Sequence, residues 1–232
     1  MFIFMNKADS QKLTLLKYIF HTAPESTIHN LSQQMDLSSR TIERYLKEIE
    51  ADCQEMPELK DFHLEKIDNH VIATFPDNLS PHFIGDRMHV GYTEKSIKFK
   101  VVRTLLLKKF QNINELAEEL FISPSSLYRL LYQLEPVMKK FDIEFSFIDN
   151  DSDLNLIYDE KKLRIFSYYF YWTSLKGLHL EPNDEHRKLV QEVDDAIAWG
   201  VFQNLLPSKK EQIRYLCAIT TIRMKATEQT FD

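Results

Sequence analysis

The sequence predicts a mainly α fold with small β-hairpin wings, arranged as two like units followed by a helical segment. Three observations predict it. The chain repeats itself at an offset of 85 residues. Within each copy, helical spacing of apolar residues gives way to a strand–turn–strand pattern across a polar turn. And 232 residues hold only four glycines, too few for a turn-rich all-β protein.

The repeat aligns Thr27–Glu50 with Asn112–Glu135 without a gap. Identical pairs are Ile28/Ile113, Leu31/Leu116, Ser38/Ser123, Arg44/Arg129, Leu46/Leu131 and Glu50/Glu135. Met35/Leu120, Leu37/Ile122, Ile42/Leu127 and Ile49/Leu134 extend the match among apolar positions. The period exceeds that of solenoid repeats, about 20–50 residues, so a small domain has been duplicated.

Each copy opens with a helix, apolar at Leu13, Leu16, Tyr18, Ile19 and Phe20, or at Ile97, Val101, Val102, Leu105 and Leu106. A short second helix runs from Ile28 to Met35, or from Ile113 to Leu120. Asn112 with Glu115 has N-cap spacing at its start. Three residues turn the chain, Asp36-Leu37-Ser38 or Phe121-Ile122-Ser123. A longer third helix follows, capped by Ser38 or by Ser123, where Pro124 fits a first turn that needs no donor.

A hairpin closes each copy. The first carries Phe62, Leu64 and Ile67, turns at Asp68-Asn69 and returns through Val71 to Phe75. The second alternates Ile143, Phe145 and Phe147, turns over Asp149 to Asp153 and returns through Leu154, Leu156 and Tyr158. Three helices and a hairpin make a winged helix-turn-helix. The domains expected are 6–77 and 93–159, joined by a linker over 78–92, with a helical segment over 160–232.

Such a motif needs apolar residues that lock two helices and a small residue at their crossing. Leu31, Met35, Leu37, Ile42 and Tyr45 with Ser32 supply these in copy one; Leu116, Leu120, Ile122, Leu127 and Leu130 with Ala117 do so in copy two. Asp36 and Phe121 stand where glycine is common. Asp tolerates left-handed backbone and Phe does not, so the first turn is expected to hold the geometry better.

With Leu37, Ile42, Leu46 and Ile49 inward, the third helix of copy one presents Arg40, Arg44 and Lys47 along one stripe. Arginine suits guanine edges and phosphate, and Ser39 and Thr41 are placed for phosphate. The outward set of copy two is Ser125, Ser126, Tyr128, Arg129, Tyr132 and Gln133, polar and aromatic more than basic: a second reader or a protein contact. Lys95, Lys98 and Lys100 begin an acid-free run to Asn114, a candidate phosphate-contacting surface. For each set an ordinary solvated face is the alternative.

Other chemistries find little footing. No glycine arrangement makes a phosphate-cradling loop, and no metal or nucleophile motif occurs, so no enzyme activity, metal or cofactor is expected. Asp149, Asp151, Asp153 and Glu160 match calcium-loop spacing, but Leu154 stands where that loop needs glycine. Cys53 and Cys217 fit no disulfide framework, and Met1 to Met5 is too short an apolar run for a signal peptide. No stretch has the ~18 apolar residues of a membrane helix. A cytoplasmic protein with no membrane partner is expected. The net charge of −6 sums unlike parts: −5 over 1–80, −3 over 81–160 and +2 over 161–232.

From Lys161 the pattern is helical. Leu163, Ile165, Phe166 and Tyr168 to Trp172 make a helix apolar nearly all round, which implies burial on several sides. Pro182 opens a second helix. Ser208 with Glu211 reads as a capping box for a third, with Ile213, Leu216, Ile219 and Ile222 inward. Three such helices are too few to cover themselves, so a partner subunit or a larger domain is expected.

Tandem helix-turn-helix units, the second running directly into the aromatic segment Tyr158 to Trp172, resemble the Mga/RofA-type virulence regulators of Gram-positive cocci. The resemblance covers most of the chain. It implies a DNA-binding transcription regulator, an activator working as a homodimer on double-stranded DNA, with RNA polymerase or phosphotransferase-system proteins as further partners. In that family the helical domain resembles a sugar-phosphotransferase regulation domain whose histidines are phosphorylated, which makes His179 and His186 the candidates. The resembling regulators are much longer than 232 residues, so 160–232 is expected to be part of a larger domain. A plasmid replication initiator with paired winged helices and a protein-interaction module that binds no DNA are the alternatives.

Overall fold

The computed structural model describes residues 3–22, 26–148, 152–177, 195 and 205–228. The chain divides into two compact units, 1–95 and 96–232. Both are built of helices with a two-stranded antiparallel hairpin each, the mainly α architecture expected.

The first unit comprises α1 (Lys7–Thr22), α2 (Ile28–Met35), α3 (Ser39–Gln54), strands β1 (His63–Ile67) and β2 (His70–Thr74), and α4 (Pro81–Lys95). Thr27 and Ser38 cap α2 and α3, each accepting a bond from the amide three residues on. Leu13, Leu16, Ile19, Leu31, Ile42, Leu46 and Ile49 form the core where the three helices meet. Phe20, Phe62 and Phe75 pack ring against ring at 5.4–5.9 Å and seat the hairpin on that core. Ile67 pairs with His70, so Asp68-Asn69 is a two-residue turn, with Asp68 at φ 53°. The inner strand also reaches the loop before α2: Val71 N donates to Ser26 O at 2.8 Å and Ile28 N to Asn69 O at 3.0 Å.

The linker expected over 78–92 is a helix instead. α4 buries Ile84, Met88 and Tyr92, spaced i, i+4, i+8, against the first unit's core. Each such burial contributes roughly 1.5–3 kcal/mol. That outweighs the penalty of about 1 kcal/mol apiece for the helical glycines Gly85 and Gly91. Pro81 sits in the first turn, where a missing amide costs nothing. Reading prolines and glycines as loop therefore placed the unit's end near 77; it lies at Lys95.

The second unit holds α5 (Ile97–Leu107), α6 (Ile113–Glu119), α7 (Pro124–Met138), a short 3-10 turn over Lys139–Phe141, strands β3 (Glu144–Phe145) and β4 (Leu156–Ile157), α8 (Glu160–Leu175) and α9 (Pro207–Glu228). Asn112 and Ser123 cap α6 and α7 as expected. This hairpin is ordered into a ladder over only two residues per strand. Beyond the ladder Ser146 N donates to Asn155 O at 2.9 Å, and the Asn155 side chain ties the returning strand to the loop before α6. Asn155, 2% exposed, accepts from Phe110 N at 2.6 Å and donates through Nδ2 to Phe110 O at 2.9 Å.

The boundary expected at 160 is not a break. Phe170 of α8 stacks on Phe99 of α5 at 5.0 Å, and Phe166 meets Phe141 edge-on at 5.2 Å. Asp159 caps α8, whose Leu163, Phe166 and Phe170 are buried and whose Tyr168, Tyr169, Tyr171 and Trp172 are half-buried; Ile165 alone of its apolar residues is exposed, at 57%, so the helix is covered on several sides, as expected. α9 starts at Pro207, one residue before Ser208, so the capping box does not form. The helix turns Tyr215, Ala218, Ile219 and Arg223 inward and leaves Leu216 exposed. The helix expected from Pro182, with His179 and His186, lies outside the described residues. No described helix is long and apolar enough to cross a membrane.

Candidate nucleic-acid interface

Two helix-turn-helix motifs, α2–α3 and α6–α7, are built alike. Asp36 and Phe121 both take left-handed backbone, at φ 51° and 54°. The same two bonds close both turns: Leu37 N to Ser32 O at 3.1 Å and Asp36 N to Gln33 O at 3.3 Å, then Ile122 N to Ala117 O and Phe121 N to Glu118 O, both at 3.0 Å. Phe121 thus holds the same turn geometry as Asp36, against the expectation that the first turn would hold it better. Its ring stands 95% exposed, clear of the crossing, so no side-chain clash adds to the backbone strain. Ser32 at the first crossing donates its hydroxyl to Leu37 O.

On α3, burial of Ile42, Tyr45, Leu46 and Ile49 leaves Ser39, Arg40, Arg44 and Lys47 exposed on the opposite face. Thr41 is half-buried, and its amide and hydroxyl both engage Ser38 Oγ, at 3.2 and 2.8 Å. Arg44 Nη1 donates to Glu48 Oε1 at 3.3 Å. Glu43 is paired with Lys66 of β1 at 2.6 Å, which ties the wing to the helix and holds the Glu43 carboxyl below its usual range. Glu50 anchors the same strand, accepting from Leu64 N at 2.6 Å.

On α7 the exposed residues are Pro124, Ser125, Tyr128, Arg129, Tyr132, Gln133 and Pro136; Tyr128 is 60% and Tyr132 76% exposed. Ser126 is half-buried, and its amide donates to the capping Ser123 Oγ at 3.2 Å. This face carries one cation where α3 carries three.

The acid-free run begins in one unit and continues in the other. Lys95 ends the first unit and pairs with Glu55 at 3.1 Å, while Lys98 and Lys100 belong to α5. Two residues along a helix turn through about 200°. Lys98 is accordingly half-buried while Lys100 is exposed, and Lys100 shares its stripe with Arg103 and Leu107. Lys108 pairs with Glu119 at 3.1 Å. Within the run Lys95 and Lys108 are paired with carboxylates, and Lys98 and Lys100 lie on different sides of α5.

Residues 87–171 match the family model of the Mga helix-turn-helix domain. This stretch of the chain is similar to the Mga helix-turn-helix domain. The match spans the end of α4, all of α5 to α7, the second hairpin and most of α8, so α8 falls inside the matched Mga domain, as its packing on α5 requires. The resemblance read from the sequence holds over this stretch, and the domain is of a DNA-binding, regulatory kind. No curated protein matches the chain. Among the described residues, no group of three or more His, Cys, Asp or Glu could hold a metal ion.

Sequence reasoning did not single out Glu48, Lys12 or Gln11, which stand behind the exposed face of α3. The i, i+4 spacing of Arg44 and Glu48 was the one signal available for them.

Proposed function

We propose that the chain is a sequence-specific DNA-binding transcription regulator of the Mga type, acting in the cytoplasm. α3 enters the major groove and reads bases with Arg40, Arg44 and Lys47, while Ser39 and the Thr41 region meet phosphate. α7 makes a second contact through Ser125, Ser126, Tyr128, Arg129 and Tyr132, and Lys98 and Lys100 add phosphate contacts. The chain works as a homodimer through its 160–232 segment and activates by engaging RNA polymerase, with phosphotransferase proteins acting through His179 or His186.

The observation that carries this reading is the exposure of three cations on one face of α3, opposite its buried Ile42, Leu46 and Ile49. A net charge of −6 adds little general attraction to DNA, so affinity depends on such local contacts. The test begins with DNA retained by the purified chain from a random-sequence library. Arg44→Ala is expected to weaken binding to the selected duplex by about 1–3 kcal/mol, the worth of a base contact. An Arg40/Arg44/Lys47 triple alanine variant that binds that duplex unchanged at fixed salt would overturn the assignment.

A second reading is favoured for α7 alone. Phe121, Tyr128 and Tyr132 are all exposed beside a single cation, a composition that suits a protein contact as well as DNA. Binding to the selected duplex that is unaltered in Arg129→Ala and Tyr132→Ala would assign α7 to a protein partner.

A further inference from the structure

The three exposed cations of α3 differ in how they are held. Arg44 is supported from two sides: Glu48 Oε1 lies 3.3 Å from its Nη1, and its guanidinium carbon stands 4.9 Å from the centroid of the Tyr45 ring. Both supports are fixed by consecutive residues of α1. Tyr45, 4% exposed, donates its hydroxyl to Gln11 Oε1 at 2.9 Å. The second oxygen of Glu48 faces Lys12 Nζ at 3.7 Å. Lys12 is 7% exposed, bonded to Asp52 at 2.9 Å and Asp9 at 3.1 Å, and lies 4.4 Å from the centroid of the Tyr92 ring. Tyr92 in turn donates to Asp52 at 2.7 Å.

A carboxylate on a DNA-facing helix repels phosphate. Between a buried cation and an exposed one, it does something more useful. We propose that Glu48 is a specificity-determining positioning residue, which holds the Arg44 guanidinium in one orientation so that its remaining N–H groups meet a base edge rather than the nearest phosphate. A fixed planar fork loses less freedom on binding than a free side chain does. Lys12, which also serves Asp9 and Asp52, attracts the inner oxygen from 3.7 Å and biases the carboxylate toward this orientation. The second unit supplies an internal contrast: Gln133 and Leu130 stand where copy one has Glu48 and Tyr45, so Arg129 meets neither a carboxylate nor a phenol at those positions.

The proposal rests on α3 contacting DNA, and the experiment separates the two. The full chain and its Glu48→Gln, Glu48→Asp and Arg44→Ala variants, with the Arg44→Ala/Glu48→Gln double variant, are titrated with the library-selected duplex and with an unrelated duplex of equal length. Glu48→Gln is expected to tighten binding to the unrelated duplex about threefold, because one phosphate-repelling charge is gone. It is also expected to lower the selected-to-unrelated ratio about tenfold, because Arg44 is freed. Glu48→Asp, which keeps the charge but not the reach, lowers the ratio without the nonspecific gain. In the Arg44→Ala background, Glu48→Gln shifts both duplexes equally. A variant damaged in folding would lose both duplexes, which is not the expected pattern. A ratio unchanged by Glu48→Gln while Arg44→Ala lowers it overturns the role of Glu48 alone. A ratio unchanged by Arg44→Ala overturns the DNA-reading role of Arg44 and this proposal with it.

Discussion

Asp36 and Phe121 occupy the same left-handed position in two turns of one chain, closed by equivalent hydrogen bonds. One is a residue that tolerates this backbone and the other is not. Left-handed backbone costs an ordinary residue about 1–2 kcal/mol, and Phe121 also leaves its ring in water. Phe121→Gly is therefore expected to raise the stability of the second unit by about 1 kcal/mol, part of the strain relief being lost to the freer unfolded chain. Asp36→Gly should gain less. Urea midpoints of the two variants check the order; a destabilised Phe121→Gly would show that the ring makes a contact in the folded chain.

Asn155 ties the second hairpin to the loop before α6 with one carboxamide. Its two bonds satisfy both backbone groups of Phe110 in a buried place. Asn155→Ala orphans a donor and an acceptor, at about 1–3 kcal/mol each if water does not enter. The expected loss is about 2–4 kcal/mol. Amide exchange at Phe110, slow in the parent chain and fast in the variant, locates the effect.

Arg223 joins the last helix to the second hairpin and α8. Only 3% exposed, it meets Asp153 Oδ2 at 3.1 Å, Glu160 Oε2 at 2.9 Å and the Tyr158 hydroxyl at 2.9 Å. Arg223→Met takes this cation from Asp153 and from Glu160, and Glu160 keeps Arg164 at 2.8 Å. Breaking a buried pair costs about 3–5 kcal/mol, and the partly exposed carboxylates reduce this to about 2–3 here. Asp153→Asn in the Arg223→Met background should recover part of the loss, as thermal unfolding would show.

Alkali should loosen the first unit. Cys53 is buried, its Sγ 3.4 Å from Met88 Sδ; burial first, then Glu50 and Asp52, push its thiol from the ordinary 9.0 up to about 12. Tyr92 is pushed up as well, by burial and by its hydrogen bond to Asp52. Both folded-state values are raised, so the stability they contribute is full below the unfolded values. It is lost as pH climbs through the window from about 9 to 12. Unfolding midpoints at pH 8, 10 and 11 should fall more steeply in the parent chain than in Cys53→Val, and parallel profiles would contradict this. Native Cys53 should also resist thiol reagents at pH 8.

Much of this architecture was legible because local rules agreed with one another. Ser38, Asn112 and Ser123 are caps in sequence and in structure, since a short hydroxyl or amide serves the same orphan donors in any helix start. The face of α3 followed from four inward residues at helical spacing. Where local signals competed with packing, packing prevailed. Two glycines and two prolines suggested a linker, but Ile84, Met88 and Tyr92 found a core to join. Ser208 offered a cap, and Pro207 took the helix start.

The candidate interface divides the same way. The amino-acid order alone determined that there are two like motifs, that their turns sit at Asp36 and Phe121, and that three cations share one side of α3. Those are properties of a few neighbouring residues, governed by helical period and capping. Tertiary structure decided which charges are free to act. It drew Lys95 to Glu55, separated Lys98 from Lys100 around α5, placed α8 in the second unit, and set Gln11 and Lys12 behind Arg44. Whether a side chain faces water, a neighbour's charge or a ring depends on elements 34 or more residues away, and no local pattern encodes that distance.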